Sequence, residues 1–321
     1  LGSLARVLII GGAGFIGANL ARACLTRKDR VTILCRPTTS LGRLSAFNGE
    51  IAVERANLTD RPALDRIIAT HAPDEIYHLA QRTRRPPRDD LSDVAGAVSE
   101  DVMGLINAVA AAAATPHPPR SFVRTGTIAE YGFGANAHRE TDREAPRDAY
   151  GAASLACTHV LAMLAPRLPF SSTTARLALT YGPDQSLDFF VPKLIQSCLS
   201  RAPIQVRAPD DRRDLIHVDD VVAALLMIGE RPAARGQVIN IATGVAPSVR
   251  DVAQLVVEMT HADASLMQFQ PDTGRPPTEL RSSPDLARSL LGWQAKLGLR
   301  DGLTKTIDAL SQSRHSQIGV T

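Results

Sequence analysis

Tyr150 lies in DAYGAASLACTHVLAML, residues 148–164, a stretch that reads as the start of a helix with a phenol in its first turn. A phenol with an ordinary pKa of about 10 is a proton donor at neutral pH, and it becomes a base only where a nearby cation stabilises the phenolate. One helical turn later, where such a cation would sit on the same face, the residue is Ser154. Lysine is scarce throughout, and only Lys28, Lys193, Lys296 and Lys305 carry ammonium groups. His159 is poorly placed on that helix to stand in, and Arg84 or Arg85 in the loop after HLAQ is an alternative source of charge.

A second constellation is RVLIIGGAGFIGANLARACL. An apolar strand ends at Ile10, Gly11-x-x-Gly14-x-x-Gly17 follows with Phe15 and Ile16 inside it, and a helix begins there. Gly11 permits a tight turn, Gly14 lets backbone approach a pyrophosphate, and Gly17 lets the helix pack on the strand. The helix N-terminus then offers free N–H groups and the positive end of its dipole. An acid ending the second strand would hold an adenosine 2′-hydroxyl. VTILCRPTTS instead has Cys35 and Arg36, with Arg43 beyond, so a 2′-phosphate and NADP(H) are favoured and NAD(H) is the alternative.

These groups need a frame. Strand-like runs at 6–10, 30–34, 51–55, 75–79, 121–125 and 172–179 alternate with helix-like segments at 15–27, 61–70, 98–114 and 148–165. That order predicts a parallel sheet with helices on both faces. The expected architecture is α/β, a doubly wound parallel sheet with a smaller C-terminal lobe. The dinucleotide-binding domain is expected over 1–179, with 214–245 returning to it, and the substrate lobe over 180–213 and 246–321. Ser248 is expected to cap an amphipathic helix.

The 321 residues allow a sizeable core, and 36 basic against 33 acidic side chains give a net charge of +3. That balance points to neither a nucleic-acid nor a membrane partner. VMGLINAVAAAAA is too short and alanine-rich to be expected to span a bilayer. Cys24, Cys35, Cys157 and Cys198 fit no metal spacing and are expected to be buried free thiols in a reducing, cytoplasmic setting. LGSL at the start reads as a frayed end or residual tag.

Taken in order, GGAGFIG, ANLTD, PDEIYHLA, TGTIAEYG, YGAAS, ARLALTYGPDQ, RRDLIHVDDVV, INIATG and RPPTEL…LLGW make the chain resemble the extended short-chain dehydrogenase/reductase family. Its members are NAD(P)-dependent nucleotide-sugar epimerases, dehydratases and ketoreductases with a Rossmann-type fold. The resemblance implies cofactor contacts at Asn57, Leu58, Leu79, Ala80, Gln81 and Tyr150, and places Thr127 as the hydroxyl that orients the substrate carbonyl. It implies that Arg213 and Arg275 grip a nucleotide diphosphate, although Arg213 could instead pair with Asp219 or Asp220. It also implies a homodimer formed through the 102–114 helix and the helix after Tyr150. RPPTEL…LLGW looks most like the branch that acts on GDP-sugars.

The departures from the family pattern bear on the reaction. Ala129 stands where sugar 4,6-dehydratases carry a glutamate base, and Glu130 is one residue displaced, which on a strand would aim it at the opposite face. Leu179 replaces a family asparagine, and Asn57 an aspartate. Ser154 replaces the family lysine that contacts the nicotinamide ribose and lowers the tyrosine pKa; a water-bridged ribose contact remains open to it. Loss of that cation harms alcohol oxidation, which needs a phenolate, more than ketone reduction, which needs a phenol. The resulting expectation is reduction of a nucleotide-linked 4-keto-(6-deoxy)sugar, with Tyr150 as proton donor and Thr127 and Ser154 beside it. A 4-epimerase retaining NAD is the alternative, and a nucleotide-binding pseudoenzyme the reading from another class. His78, His217 and Trp293 are expected to be packed structural residues.

Overall fold

The computed structural model describes residues 4–47, 49–270 and 274–318, with backbone alone for 313–318; all of LGSL except Leu4 lies outside these residues. Most of the short apolar runs become strands covered on both faces, the pattern of a parallel sheet, while the edge run Ile51–Arg55 is largely exposed. Strands β1 (Arg6–Ile10), β2 (Arg30–Cys35), β3 (Ile51–Arg55), β4 (Glu75–His78), β5 (Ser121–Thr127) and β6 (Ser171–Leu177) form one parallel sheet with β11 (Val238–Ile241), in the order β11-β6-β5-β4-β1-β2-β3. The remaining strands, β7 (Leu179–Tyr181), β8 (Ile204–Val206), β9 (Arg212–Arg213), β10 (Leu215–His217), β12 (Met267–Phe269) and β13 (Glu279–Leu280), form the two-stranded pairs β7–β10, β8–β12 and β9–β13.

The helices are α1 (Phe15–Thr26), α2 (Arg61–His71), α3 (Ser92–Ala97), α4 (Met103–Ala114), α5 (Ala149–Leu164), α6 (Phe190–Ser200), α7 (Val218–Glu230), α8 (Val249–Thr260), α9 (Asp285–Leu291) and α10 (Leu299–Ile318). One apolar layer joins α1 and α7 to one face of the sheet, a second joins α2, α4 and α5 to the other, and a third joins α6, α8 and β8. Ser248 caps α8, accepting from Asp251 N at 3.0 Å while Asp251 accepts from Ser248 N at 2.9 Å. The strand order reverses between β1 and β4, which opens a crevice at the carboxyl ends of these strands.

Three local expectations need correction. The run 172–179 is not one strand: Leu177 ends β6, and Leu179 N turns to Asp214 O at 3.0 Å, beginning β7 beside β10. The apolar run continues through the bend, so hydrophobicity does not mark it. The helix expected from 98 begins at Ser92, and a π-helical turn over Val98–Val102 joins α3 to α4. The joined segment Ser92–Ala114 has 23 residues and Ala149–Arg167 has 19, and each contains an 18-residue stretch of mean hydropathy 1.3; both are long and apolar enough, by length and composition, to cross a membrane. Each turns one face inward, burying Leu105, Ala108 and Val109 on α4 and Cys157 and Leu161 on α5. Val94, Val98, Met103 and Met163 remain exposed.

Candidate functional site

The crevice begins where β1 ends. Gly11 has φ +83°, a conformation strained for any side chain, and a Cβ there would lie 2.8 Å from Ala80 N. At Gly17 a Cβ would lie 2.6 Å from Gly11 O, so only glycine lets α1 sit against the turn. A cavity of about 670 Å³ runs from this turn past the ends of β2, β3 and β4. Gly11, Gly14, Arg36, Asn57, Leu58, Leu79, Ala80 and Gln81 all line it. Phe15 and Ile16 are half-buried against the core at the start of α1, and Gly17 lies beneath them. Volume, bare glycine backbone and helix N-terminus fit a dinucleotide.

Arg36 is exposed at the mouth of the cavity, and its loop is held from behind. Arg55 Nη1 donates to the carbonyls of Arg36, Pro37 and Thr39 at 3.3, 2.6 and 3.2 Å. Arg43 also lines the cavity, with its Nε donating to Asp184 O at 2.8 Å.

Tyr150 occupies the first turn of α5, whose N-cap Asp148 accepts from Gly151 N at 2.7 Å. Its burial pushes the phenol pKa up to about 12; the Thr127 hydroxyl pulls it down, Glu130 raises it, Arg124 lowers it and Asp148 raises it. At neutral pH the phenol is therefore the dominant form. Thr127 ends β5 and caps the following 3₁₀ turn, accepting from Ala129 N at 3.2 Å.

Ser154 is fully buried on the first half of α5. It donates to Glu130 Oε1 at 2.7 Å and accepts from Arg124 Nη2 at 2.9 Å. Toward the crevice its hydroxyl makes a 3.5 Å contact with Gln81 Oε1. The placement expected for Glu130 also needs correction. Residues Ile128–Glu130 form a 3₁₀ turn rather than strand, which folds the carboxylate back under α5. There it accepts from Ser154 Oγ, Thr158 Oγ1 (2.9 Å), Arg176 Nε (2.6 Å) and Thr127 N (3.2 Å). Arg176 continues the network to Tyr131 Oη at 2.8 Å and Glu144 Oε1 at 2.7 Å.

Arg84 and Arg85 do not supply the missing charge. Arg85 is held by Glu100 at 2.8 Å and Asp101 at 3.4 Å, and Arg84 pairs with Asp188 at 3.3 Å. His159 is exposed, 4.0 Å from Glu144. The cation near Tyr150 is Arg124 on β5, which sequence reasoning passed over. An arginine inside the apolar strand SFVRT was the available signal, because a buried guanidinium must find partners.

At the smaller lobe, Arg213 and Arg275 converge on one carboxylate. Arg213 Nη2 lies 2.8 Å from Asp211 Oδ2, and Arg275 Nη2 lies 2.8 and 2.9 Å from the two Asp211 oxygens. Asp211 was another omission from the sequence reading. Asp219 and Asp220 are engaged elsewhere: Asp219 pairs with Lys305, and Asp220 accepts from Lys296 N and Leu297 N at 3.0 Å. His78 is buried, with its pKa lowered to about 3 by desolvation and by Arg124. His217 accepts from Asp219 N at 3.2 Å as a helix cap, and Trp293 is in the core. All four cysteines are buried and free, and no metal-holding cluster occurs among the described residues.

The profile of the NAD dependent epimerase/dehydratase family matches residues 7–242. The chain is 28% identical over 323 residues to the dTDP-6-deoxy-L-talose 4-dehydrogenase (NAD(P)(+)) of Kitasatospora kifunensis, covering 96% of each chain. It is also 28% identical to the dTDP-glucose 4,6-dehydratase of Streptomyces niveus, covering 96% of this chain and 94% of that one. Among solved structures, the UDP-glucose 4-epimerase of Thermotoga maritima with UDP-glucose superposes with a TM-score of 0.86 at 23% identity, covering 96% and 99% of the two chains. MoeE5 in complex with UDP-glucose and NAD gives a TM-score of 0.84 at 25% identity, again covering 96% and 99%. With its glycine turn, its sheet order and the matched span in agreement, the chain belongs to the NAD dependent epimerase/dehydratase family.

Proposed function

We propose that this protein reduces a nucleotide-linked 4-keto-(6-deoxy)sugar, with NADP(H) favoured over NAD(H). The single observation that carries the direction is the neutral Tyr150 phenol beside the Thr127 hydroxyl. When bound, the nicotinamide supplies the hydride. Tyr150 then donates its proton to the oxygen that was the carbonyl, and Thr127 hydrogen-bonds the same oxygen as charge develops on it. Even at about 12, the phenol remains a stronger acid than an ordinary sugar hydroxyl.

Other features support the substrate class. Arg213 and Arg275 are close enough together, through Asp211, to face one diphosphate. The relatives described above are named for dTDP- and UDP-sugars, so the nucleoside lies outside the proposal. A 4,6-dehydratase reaction lacks its base, because residue 129 is alanine and the Glu130 carboxylate is held by four donors. Arg36 at the cavity mouth supports a 2′-phosphate. The exposed apolar residues of α3, α4 and α5 support pairing with a second copy.

The second reading, a 4-epimerase with retained NAD, is favoured by the buried Arg124, whose charge pulls the Tyr150 phenol toward ionisation. Incubation with NADPH and a panel of nucleotide-linked 4-keto sugars separates the two. Reduction consumes one NADPH per keto sugar; C4 inversion of the matching 4-hydroxy sugars on tightly retained NAD, with no net redox change, would establish epimerisation instead.

A further inference from the structure

Tyr150, Ser154 and Thr158 are spaced by four residues on α5 and so form one stripe along the helix. Arg124 runs beneath that stripe with 2% exposure. Its Nη1 donates to Thr158 Oγ1 at 2.9 Å, and its Nη2 donates to Ser154 O at 3.1 Å and Ser154 Oγ at 2.9 Å. Taking a guanidinium out of water costs several kcal/mol unless a counter-charge meets it, yet among the described residues no carboxylate forms a direct ion pair with Arg124. Glu130 is reached only through the two hydroxyls, which accept from Arg124 and donate to the carboxylate. The direct partner of Glu130 is Arg176, at 2.6 Å.

Space for this arrangement comes from Gly126, where a Cβ would lie 2.6 Å from Glu130 Oε1 and 3.3 Å from Arg124 Nη1. We infer that Arg124 is a positioning residue for Tyr150: its buried positive charge, buffered by Glu130 through Ser154 and Thr158, stabilises the phenolate left when the proton is given up. The inference rests on Tyr150 being the proton donor of the proposed reduction. The charged and polar groups that bear on the phenol are Thr127 and Arg124 from β5, Glu130 from the 3₁₀ turn and Asp148 from the cap of α5 itself, and burial raises its pKa to about 12.

The experiment compares Arg124→Met, Arg124→Lys, Glu130→Gln and Tyr150→Phe in the full chain. Initial rates are measured in both directions against pH, and ring-labelled tyrosine NMR of the cofactor-free protein follows the phenols. Arg124→Met should lower kcat for reduction about 100-fold and leave KM within about threefold, whereas Arg124→Lys should retain kcat within about tenfold. Ser154→Lys in the Arg124→Met background should restore kcat at least about tenfold, a rescue that a purely structural role would not give. Glu130→Gln should move the rise of the oxidation rate, and the onset of Tyr150 ionisation, down by about one pH unit. If Arg124→Met does not fold, Glu130→Gln and Arg124→Lys decide alone.

Unchanged pH profiles in the Arg124 and Glu130 variants, with Tyr150→Phe inactive, would overturn the role of Arg124 and leave the proposed function standing. Full activity in Tyr150→Phe would overturn the proposed function itself, while the NMR shift in Glu130→Gln would still report on the electrostatic coupling.

Discussion

Ser154→Lys puts the electrostatics of the site to a quantitative test. A lysine at 154 lies one turn from Tyr150, so an ammonium about 5 Å from the phenol, at an effective dielectric near 20, is worth about 3 kcal/mol, or about 2 pKa units. The phenol would fall from about 12 to about 10, and the phenolate fraction at pH 8 would rise about 100-fold. The pocket resists the change. Ser154 has no exposed surface, so the added methylenes cost about 1–3 kcal/mol in overpacking. Arg124 lies 2.9 Å and Glu130 2.7 Å from the hydroxyl being replaced, so repulsion and attraction of about 6 kcal/mol each at a dielectric near 20 nearly cancel. The net expectation is a melting temperature lower by about 2–5 °C. Oxidation of the sugar alcohol at pH 8 should gain up to about 100-fold through the larger phenolate fraction, and reduction of the ketone should gain by a similar factor, because at fixed pH the overall equilibrium sets the ratio of the two directions. Thermal unfolding and initial rates in both directions make the test, and a folded variant with no gain in either direction would refute the reasoning.

Three further outcomes are expected. Arg36→Glu should weaken NADPH binding about tenfold or more and leave NADH binding within about threefold, measured by fluorescence titration. Arg275→Ala should raise KM for the nucleotide sugar about tenfold with kcat little changed, since the side chain is half-exposed and its partner Asp211 keeps Arg213. His78 titrates near 3 in the fold against about 6.5 unfolded, so the unfolded chain binds the extra proton between those values. The stability contributed by neutral His78 is therefore complete above about pH 6.5 and is lost as pH falls toward about 3, and His78→Gln should flatten urea-derived stability over that window.

What the sequence revealed about the site follows the range of the interactions involved. Gly11 and Gly17 were legible because a tight turn and a close helix are local demands that one residue type meets. Asn57, Leu58 and Leu79–Gln81 were reached by resemblance, and strand order brings them to one cavity. The Arg124–Glu130–Arg176 network was not legible. Arg124 and Gly126 share a face of β5, and parallel register sets Arg176 of β6 opposite Gly126, so the two arginines, 52 residues apart in sequence, are brought around one carboxylate only through strand pairing. Reading 128–130 as strand aimed Glu130 the wrong way, because a 3₁₀ turn reverses a side chain that period-2 alternation would send outward. The π-helical turn before α4 left no mark either, since its insertion changes hydrogen bonding without altering composition. Asp211 carries no signal of its own in the sequence: Arg213 is followed by Asp214, Asp219 and Asp220, whereas its partner lies two residues before it.

The most direct test of the central claim is the pH dependence of kcat in both directions for the unmodified protein, using a nucleotide-linked 4-keto sugar and its alcohol product. A neutral phenol as donor gives a reduction rate that is flat between about pH 6 and 9, and an oxidation rate that climbs about tenfold per pH unit over the same range. An oxidation rate that is already flat near pH 7 would mean that Tyr150 is ionised there, and would contradict the account.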